Sequence, residues 1–324
     1  MKQNTLQVAV LFLVFNRPVT TKKVFEAIRD ARPARLYVVA DGPRDDKPGE
    51  RAECEKVRRI ATMVDWHCEV RALFRDKNMG CGKGVAAGIS WFFSQEDEGI
   101  ILEDDCLPAT DFFRFCAELL DKYRDDTRVM QIGGNNLQAN RYGKSDYSYF
   151  FSNHNVIWGW ATWRRAWELY DYRMKYYEEV VKKKYHHDYF QTFDEHEYYE
   201  YVLSCIYADG ERISTWDYQW QFSRMLQSGL VIVPWQNLVV NIGYGSDSTH
   251  TQQPVLPGQT LGRMTFPLRH PEFVMVDRKL DARLFNAIFT SPWSRVKRRI
   301  KKILPQSVVV FSRRLLHVNY NQAV

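Results

Sequence analysis

Residues 99–108 read Gly-Ile-Ile-Leu-Glu-Asp-Asp-Cys-Leu-Pro, a short apolar run that ends without a spacer in Glu103, Asp104 and Asp105. Adjacent acids at the end of a buried segment repel one another and lose solvation, so the pattern calls for a compensating cation. A hard divalent ion such as Mg2+ or Mn2+ supplies it, taking oxygen ligands and bridging to phosphates. The plain alternative is a solvated acidic turn. A further candidate is Asp217, between Trp216 and Tyr218, where partial burial would raise its pKa towards a value useful to a general base. Its alternative is an N-cap before Tyr218–Gln227, which reads as a helix. Glu211 is the next candidate for the base.

Other residues carry weaker signals. Gly80-Cys-Gly-Lys-Gly84 is not a Walker A loop, because Gly84 stands where Ser or Thr is needed. A helix N-terminus with Lys83 would still attract a diphosphate, and a tight strand-to-helix turn accounts for the glycines equally well. Trp158, Trp160 and Trp163 offer flat apolar faces for a sugar ring or for the core. His186, His187 and His196 with Asp188, Asp194 and Glu195 resemble a metal cluster, but their highly charged surroundings read as a solvated helical face.

The elements that must hold these residues alternate in period. Strands are expected at about 7–15, 35–40, 69–74 and 99–103, with helices at 20–31, 50–64, 80–93 and 111–124, then a strand at 129–132. Such alternation implies right-handed βαβ units, a parallel sheet, and ligands at the C-terminal ends of its strands. From Tyr147 to about Tyr201 the chain is dense in Tyr, Trp, Lys and Glu without that alternation, and short strands return at 231–234 and 238–242. The expectation is one α/β domain over 1–270 with an elaborated second half, and a basic appendage over 271–324.

The 324 residues are 45% apolar and 15% aromatic, enough for a large core. The net charge of +6 is unevenly placed, since no acid follows Asp281 while nine Arg and Lys residues do. The body is therefore slightly acidic, which speaks against a nucleic-acid-binding domain. Six cysteines without a CxxC pair read as reduced thiols in a cytoplasmic protein. The apolar run at 8–15 lacks a small-residue cleavage site after it and reads as a strand rather than a signal peptide. Residues 294–316 interleave cations with apolar residues around Pro305. They fit an anionic membrane surface, a helix on the body or a partner-binding arm.

In order, Phe15-Asn-Arg-Pro18, Asp41, the stretch Leu102–Phe113, Trp158-Gly-Trp160, Thr215-Trp-Asp-Tyr218 and Ser248-Thr-His250 resemble a GT-A glycosyltransferase, in particular bacterial relatives of the N-acetylglucosaminyltransferase I type. The resemblance covers about residues 7–251 and implies a Rossmann-like α/β/α sandwich with a mainly parallel sheet. It also implies a nucleotide-sugar donor, a UDP-sugar by preference, and Mn2+ or Mg2+, with a nucleotide-sugar-binding role for 1–135 and an acceptor-binding role for 136–270. By position, Arg17 and Asp41 would contact base and ribose, Glu103 and Asp104 the sugar and ribose, and Asp105 the metal. Asp217 would be the base. The loop with Ser248 would order over the diphosphate, and His250 would be a second metal ligand. Trp158 and Trp160 are assigned to the acceptor, and Lys83 to the donor.

The expected activity is inverting transfer of a hexosyl or N-acetylhexosaminyl group to a glycan or lipid-linked hydroxyl in surface polysaccharide synthesis, in the cytoplasm or peripherally on the inner membrane face. The rivals are a sugar-nucleotide pyrophosphorylase, a retaining transferase, and a catalytically silent glycan-binding or scaffold protein on the same fold.

Overall fold

Two apolar runs, 9–14 and 98–103, become neighbouring strands. The computed structural model describes residues 5–139, 145–210, 214–243 and 260–289. Its first half runs β1 (Ala9–Val14), α1 (Pro18–Ala31), β2 (Arg35–Ala40), α2 (Glu50–Ala61), β3 (Glu69–Phe74), α3 (Cys81–Phe93), β4 (Glu98–Glu103), β5 (Cys106–Pro108), α4 (Thr110–Lys122) and β6 (Val129–Gly133). The second half runs β7 (Tyr149–Ser152), β8 (Trp160–Trp163), α5 (Arg164–Trp167), α6 (Tyr177–Lys183), α7 (His186–Tyr189), α8 (Phe193–Asp209), α9 (Asp217–Leu226), β9 (Leu230–Pro234), β10 (Val239–Asn241) and α10 (Arg278–Phe289).

Among the described residues, eight strands form one sheet in the order β3-β2-β1-β4-β8-β6-β9-β7. β8 is antiparallel to β4 and β6, and β7 is antiparallel to β9; the other pairings are parallel. The two-residue period of the strands divides the interior. Val10, Phe12 and Val14 join Leu36, Val38, Ile100 and Leu102 under α1, α2 and α4. Ala9, Leu11 and Leu13 join Tyr37, Val39 and Ile101 on the other face, against Ile89 and Phe92 of α3 and Trp160, Trp167, Trp216 and Trp220. The molecule is thus a mixed α/β/α sandwich with a mainly parallel sheet, as the sequence leads one to expect. β1 is buried at every position, which explains its unbroken apolar character.

The stretch 147–201 differs from expectation, since it contributes β7 and β8 to the central sheet. Both strands are four residues long and buried throughout, Tyr-Phe-Phe-Ser and Trp-Ala-Thr-Trp, so neither shows an alternation to detect. The remaining helices of this half build their own apolar cluster around Met174, Tyr198, Tyr199, Phe222 and Phe285. The expected basic appendage begins inside the fold: α10 buries Asp281, Leu284, Phe285 and Phe289. Residues 294–316 lie outside the described residues. All six cysteines are free thiols, four of them buried. No helix among the described residues is long and apolar enough to cross a membrane.

The crossing of β10 over the sheet edge demands a glycine at 134. Its N–H donates to the Gly159 carbonyl at 2.7 Å and its carbonyl accepts from Leu238 at 2.9 Å. A Cβ there would stand 2.5–2.6 Å from Val239, the Gly159 carbonyl and Phe112. Gly134→Ala is expected to cost about 2 kcal/mol through overpacking, read as a lowered denaturant midpoint with an unchanged slope.

Candidate active site

Register places the site. Val14 pairs with Ala40 and Leu13 with Glu103, so β1, β2 and β4 end level with one another. The residues that follow, Phe15–Arg17, Asp41–Arg44 and Asp104–Cys106, therefore emerge side by side at the C-terminal edge of the parallel strands. They form one side of a cleft with a cavity volume of about 400 Å3, completed by Trp158, Ser214–Tyr218 and Gly243.

The acidic triplet lies at the bottom of this cleft. Asp104 is 7% exposed, and its Oδ2 accepts the Phe15 N–H at 3.1 Å. Arg17 Nη1 donates to Asp105 Oδ2 at 2.8 Å and stands 3.9 Å from Asp104 Oδ1. The β5–β10 ribbon brings the chain back over Asp105, where the Ile242 N–H donates to its carbonyl at 2.7 Å. Gly243 lies so close that any Cβ would strike the Asp105 carboxylate.

Asp41 has a double task. Its carboxylate accepts backbone N–H bonds from Gly42, Met79 and Gly80 at 3.0–3.2 Å, fixing the turn before α3 while still lining the cleft. The Gly80 N–H is thereby already engaged, and Gly80–Gly84 acts here as a tight strand-to-helix turn. Lys83 is exposed and is not among the residues lining the cleft, which corrects the expectation that it binds the donor. The cations that do line it are Arg17, Arg44 and Arg75. Glu50 holds Arg44, and Arg75 donates to the Gly84 carbonyl at 3.0 Å.

Asp217 is the first residue of α9, after Trp216, and its half-buried side chain faces the cleft. Burial pushes its carboxyl up to about 6, while the backbone N–H groups of Asp217 and Tyr218 pull it back. Helix-start bonding and exposure to the cleft thus coexist in one side chain. The Asn155 amide donates to the Asp217 carbonyl at 3.1 Å, and the Tyr198 and Tyr218 hydroxyls meet at 2.6 Å behind it. A second, smaller cavity shares Ile157, Trp158, Asp217 and Tyr218 with the first and continues to Asn155, Gln221 and Phe289.

The cleft is lined by more carboxyl groups than guanidiniums. Asp41, Glu103, Asp104, Asp105 and Asp217 line it, against Arg17, Arg44 and Arg75. Burial, then repulsion from Asp105 and its neighbours, holds Glu103 and Asp104 well above the usual carboxylate range. The Cys81 and Cys106 thiols also line the cleft. The carboxylate oxygens are the donors a hard divalent cation takes, but the three carboxylates of the triplet do not converge on one point as they stand, and Asp105 would have to exchange Arg17, 2.8 Å away, for the ion.

Trp158 is half-buried and lines both cavities. Trp160 does not reach them: it is 1% exposed and stacks on Trp216 in the core at 5.5 Å, so it presents no face to an acceptor. Glu211, Ser248 and His250 lie outside the described residues. The charged helical stretch is also not a solvated face throughout, since His186 and Glu195 are 3% and 2% exposed. Arg44, Arg75, Asn155 and Gly243 escaped sequence reading. Arg75 follows β3 directly and Arg44 lies in the loop after β2, so the sheet-edge rule that picked out the acids points to them as well.

No family model and no curated protein matches this chain. Among solved structures it is similar to a UDP-glucose pyrophosphorylase complexed with UDP-glucose, at 12% identity and a TM-score of 0.26, over 45% of this chain and 62% of that one. It is also similar to HddC from Yersinia pseudotuberculosis, at 12% identity and a TM-score of 0.32, over 49% and 78%. The chain thus spans about three-fifths of the first of these.

Proposed function

We propose that the protein is an inverting, metal-dependent glycosyltransferase of the GT-A kind, moving a sugar from a nucleotide-sugar donor to a hydroxyl of a glycan or lipid-linked acceptor in surface polysaccharide synthesis. The observation that carries this reading is Asp217: a carboxyl pushed up to about 6, at the junction of the acid-lined cleft and a second cavity. The cleft of about 400 Å3 would take the donor and, on its Trp158 side, the acceptor hydroxyl, with Asp217 as the base between them; the second cavity, about 40 Å3, has room for little more than a water.

Asp217 would accept the proton of the acceptor hydroxyl as its oxygen attacks the anomeric carbon and the bond to the diphosphate breaks. Arg17, Arg44 and Arg75 would hold the donor and offset its charge, and Asp41 would fix the turn against which it rests. Asp105, with Glu103 and Asp104 beside it, would hold Mn2+ or Mg2+, which when bound supplies Lewis-acid stabilisation of the leaving diphosphate. Trp158 would stack on the acceptor sugar. A pyrophosphorylase needs a Gly-rich loop after its first strand, whereas β1 reaches α1 through Phe15, Asn16 and Arg17.

A thermal-shift screen of nucleoside diphosphates, with and without Mn2+, tests the donor site. One base should stabilise the protein, only with metal, by about 2.7 kcal/mol at a hundredfold excess over Kd. In Asp105→Asn the metal-dependent part should vanish. Equal shifts with and without Mn2+ in the native protein would remove the metal from the mechanism.

A further inference from the structure

Outside the cleft, α7 and the first turns of α8 bring together residues that neither donor nor acceptor needs. The ligand atoms of His186, His187 and Glu200 all lie within 4.8 Å of one another. His187 stacks on His196 at 4.2 Å between ring centroids, nearly parallel, and meets His186 edge-on at 4.4 Å. His196 and Glu200 are four residues apart on α8 and so share a face.

The decisive observation is His186. It is 3% exposed, yet neither ring nitrogen makes a hydrogen bond of ordinary geometry, its approach to the Val180 backbone falling short of one. Buried imidazoles ordinarily bond at one nitrogen at least, because an unmet buried polar atom is costly. The contrast with His154 is instructive. It lies beside Glu195 and Asp281 in the other cluster of this kind, but both its nitrogens are engaged, by Glu195 at 2.9 Å and Tyr199 at 3.1 Å. That cluster is a satisfied buried network.

We propose that His186, His187 and Glu200 bind a divalent transition metal of the zinc type, with His196 stacked alongside. Two imidazoles and a carboxylate match a tetrahedral ion with one further position for water. Bonds of roughly 2.0–2.1 Å place tetrahedral ligands about 3.3 Å apart, which small side-chain rotations reach from the present spacing. Imidazole nitrogens select zinc, cobalt or nickel, whereas the carboxylates of the cleft select magnesium or manganese. The chain would then hold two metals of different class. The ion ties the four-residue α7 to α8, whose Tyr198 supports Tyr218 beside Asp217. Its role is to position this half of the molecule, not to take part in the reaction.

Full-length protein would be stripped with a chelator and given Zn2+, with metal content measured by mass spectrometry and affinity by titration. Native protein and Asp105→Asn should each keep one zinc per chain and gain thermal stability. His187→Ala and Glu200→Gln should weaken zinc binding by more than the roughly 10–100-fold that loss of an outer-shell partner costs. Circular dichroism would check that both variants fold; His187 is partly exposed, which makes its truncation mild. Co2+ should give the visible absorption of a tetrahedral site in native protein and lose it in both variants. Zinc binding unaltered in both would overturn the proposal, as would its loss in Asp105→Asn alone or failure to bind Zn2+ at micromolar concentration.

Discussion

Asp217→Asn is expected to lower the rate of sugar transfer by about 10²–10⁴-fold while donor binding survives, the range set by loss of a general base. Asparagine keeps the size of the side chain and can still accept from the N–H groups at the start of α9, so the helix should persist. The native rate should rise with pH through about 6, as the carboxyl ionises, and the variant should lose that limb. Stability should move the other way. The fold raises this carboxyl above its ordinary 3.8, so from pH 4 upwards it resists the ionised form, a cost that reaches its limit above pH 6. Relieving it should stabilise the variant at pH 7 by up to about 3 kcal/mol. A side chain whose removal stabilises the protein and abolishes turnover is functional. A variant transferring within tenfold of native rates would sink the assignment.

Glu195→Ala is expected to cost about 3 kcal/mol, measured by urea unfolding at pH 7. Glu195 Oε2 accepts the Gln191 and Thr192 N–H groups at 2.9 and 2.6 Å, while Oε1 meets His154 Nε2 at 2.9 Å. The Thr192 hydroxyl accepts the Glu195 N–H in return, completing a capping box at the start of α8. Although burial opposes ionisation, His154 and the backbone donors hold the Glu195 carboxyl down to about 2, against an ordinary 4.5. Its stabilising contribution is therefore full above about pH 4.5 and lost as pH falls towards 2. Asp281, 3.6 Å from His154, is pushed up by burial and works against the same trend. The variant should show a flatter dependence of stability on pH between 5 and 2. An unchanged profile would mean that Glu195 is not an ionised partner in the folded state.

The first half of the fold was legible because its strands and helices carry distinct periods. β2 and β3 occupy the expected residues, and the acids follow β4 as its apolar run implied. β8 was not legible, because a four-residue strand buried on both faces has neither alternation nor length. Its misreading led to the error over Trp160, whose spacing beside Trp158 resembled a platform. The positions of Trp158 and Asp217 on one cleft depend on strand pairings across the chain, which spacing along it cannot reveal. Lys83, which does not line the cleft, illustrates another limit of spacing: a lysine at a helix start reads as a phosphate ligand until the direction of the helix is known. The buried His186 was hidden by the charges around it, since composition reports the neighbours and not the face that turns inward.

The reversed course of β8 has a consequence for how such a molecule diversifies. Its parallel neighbours arrive at the site with their trailing loops, but β8 arrives with its leading one, Asn155–Gly159, so the two sides of the cleft belong to independent stretches of chain. Val156 is buried and the Gly159 carbonyl accepts from Gly134, so it is Ile157 and Trp158, which face the cleft, that can vary without disturbing Phe15, Asp41 or Asp104. Exchanging those two side chains would then reshape one wall of the cleft while the acids at the strand ends stay where they are.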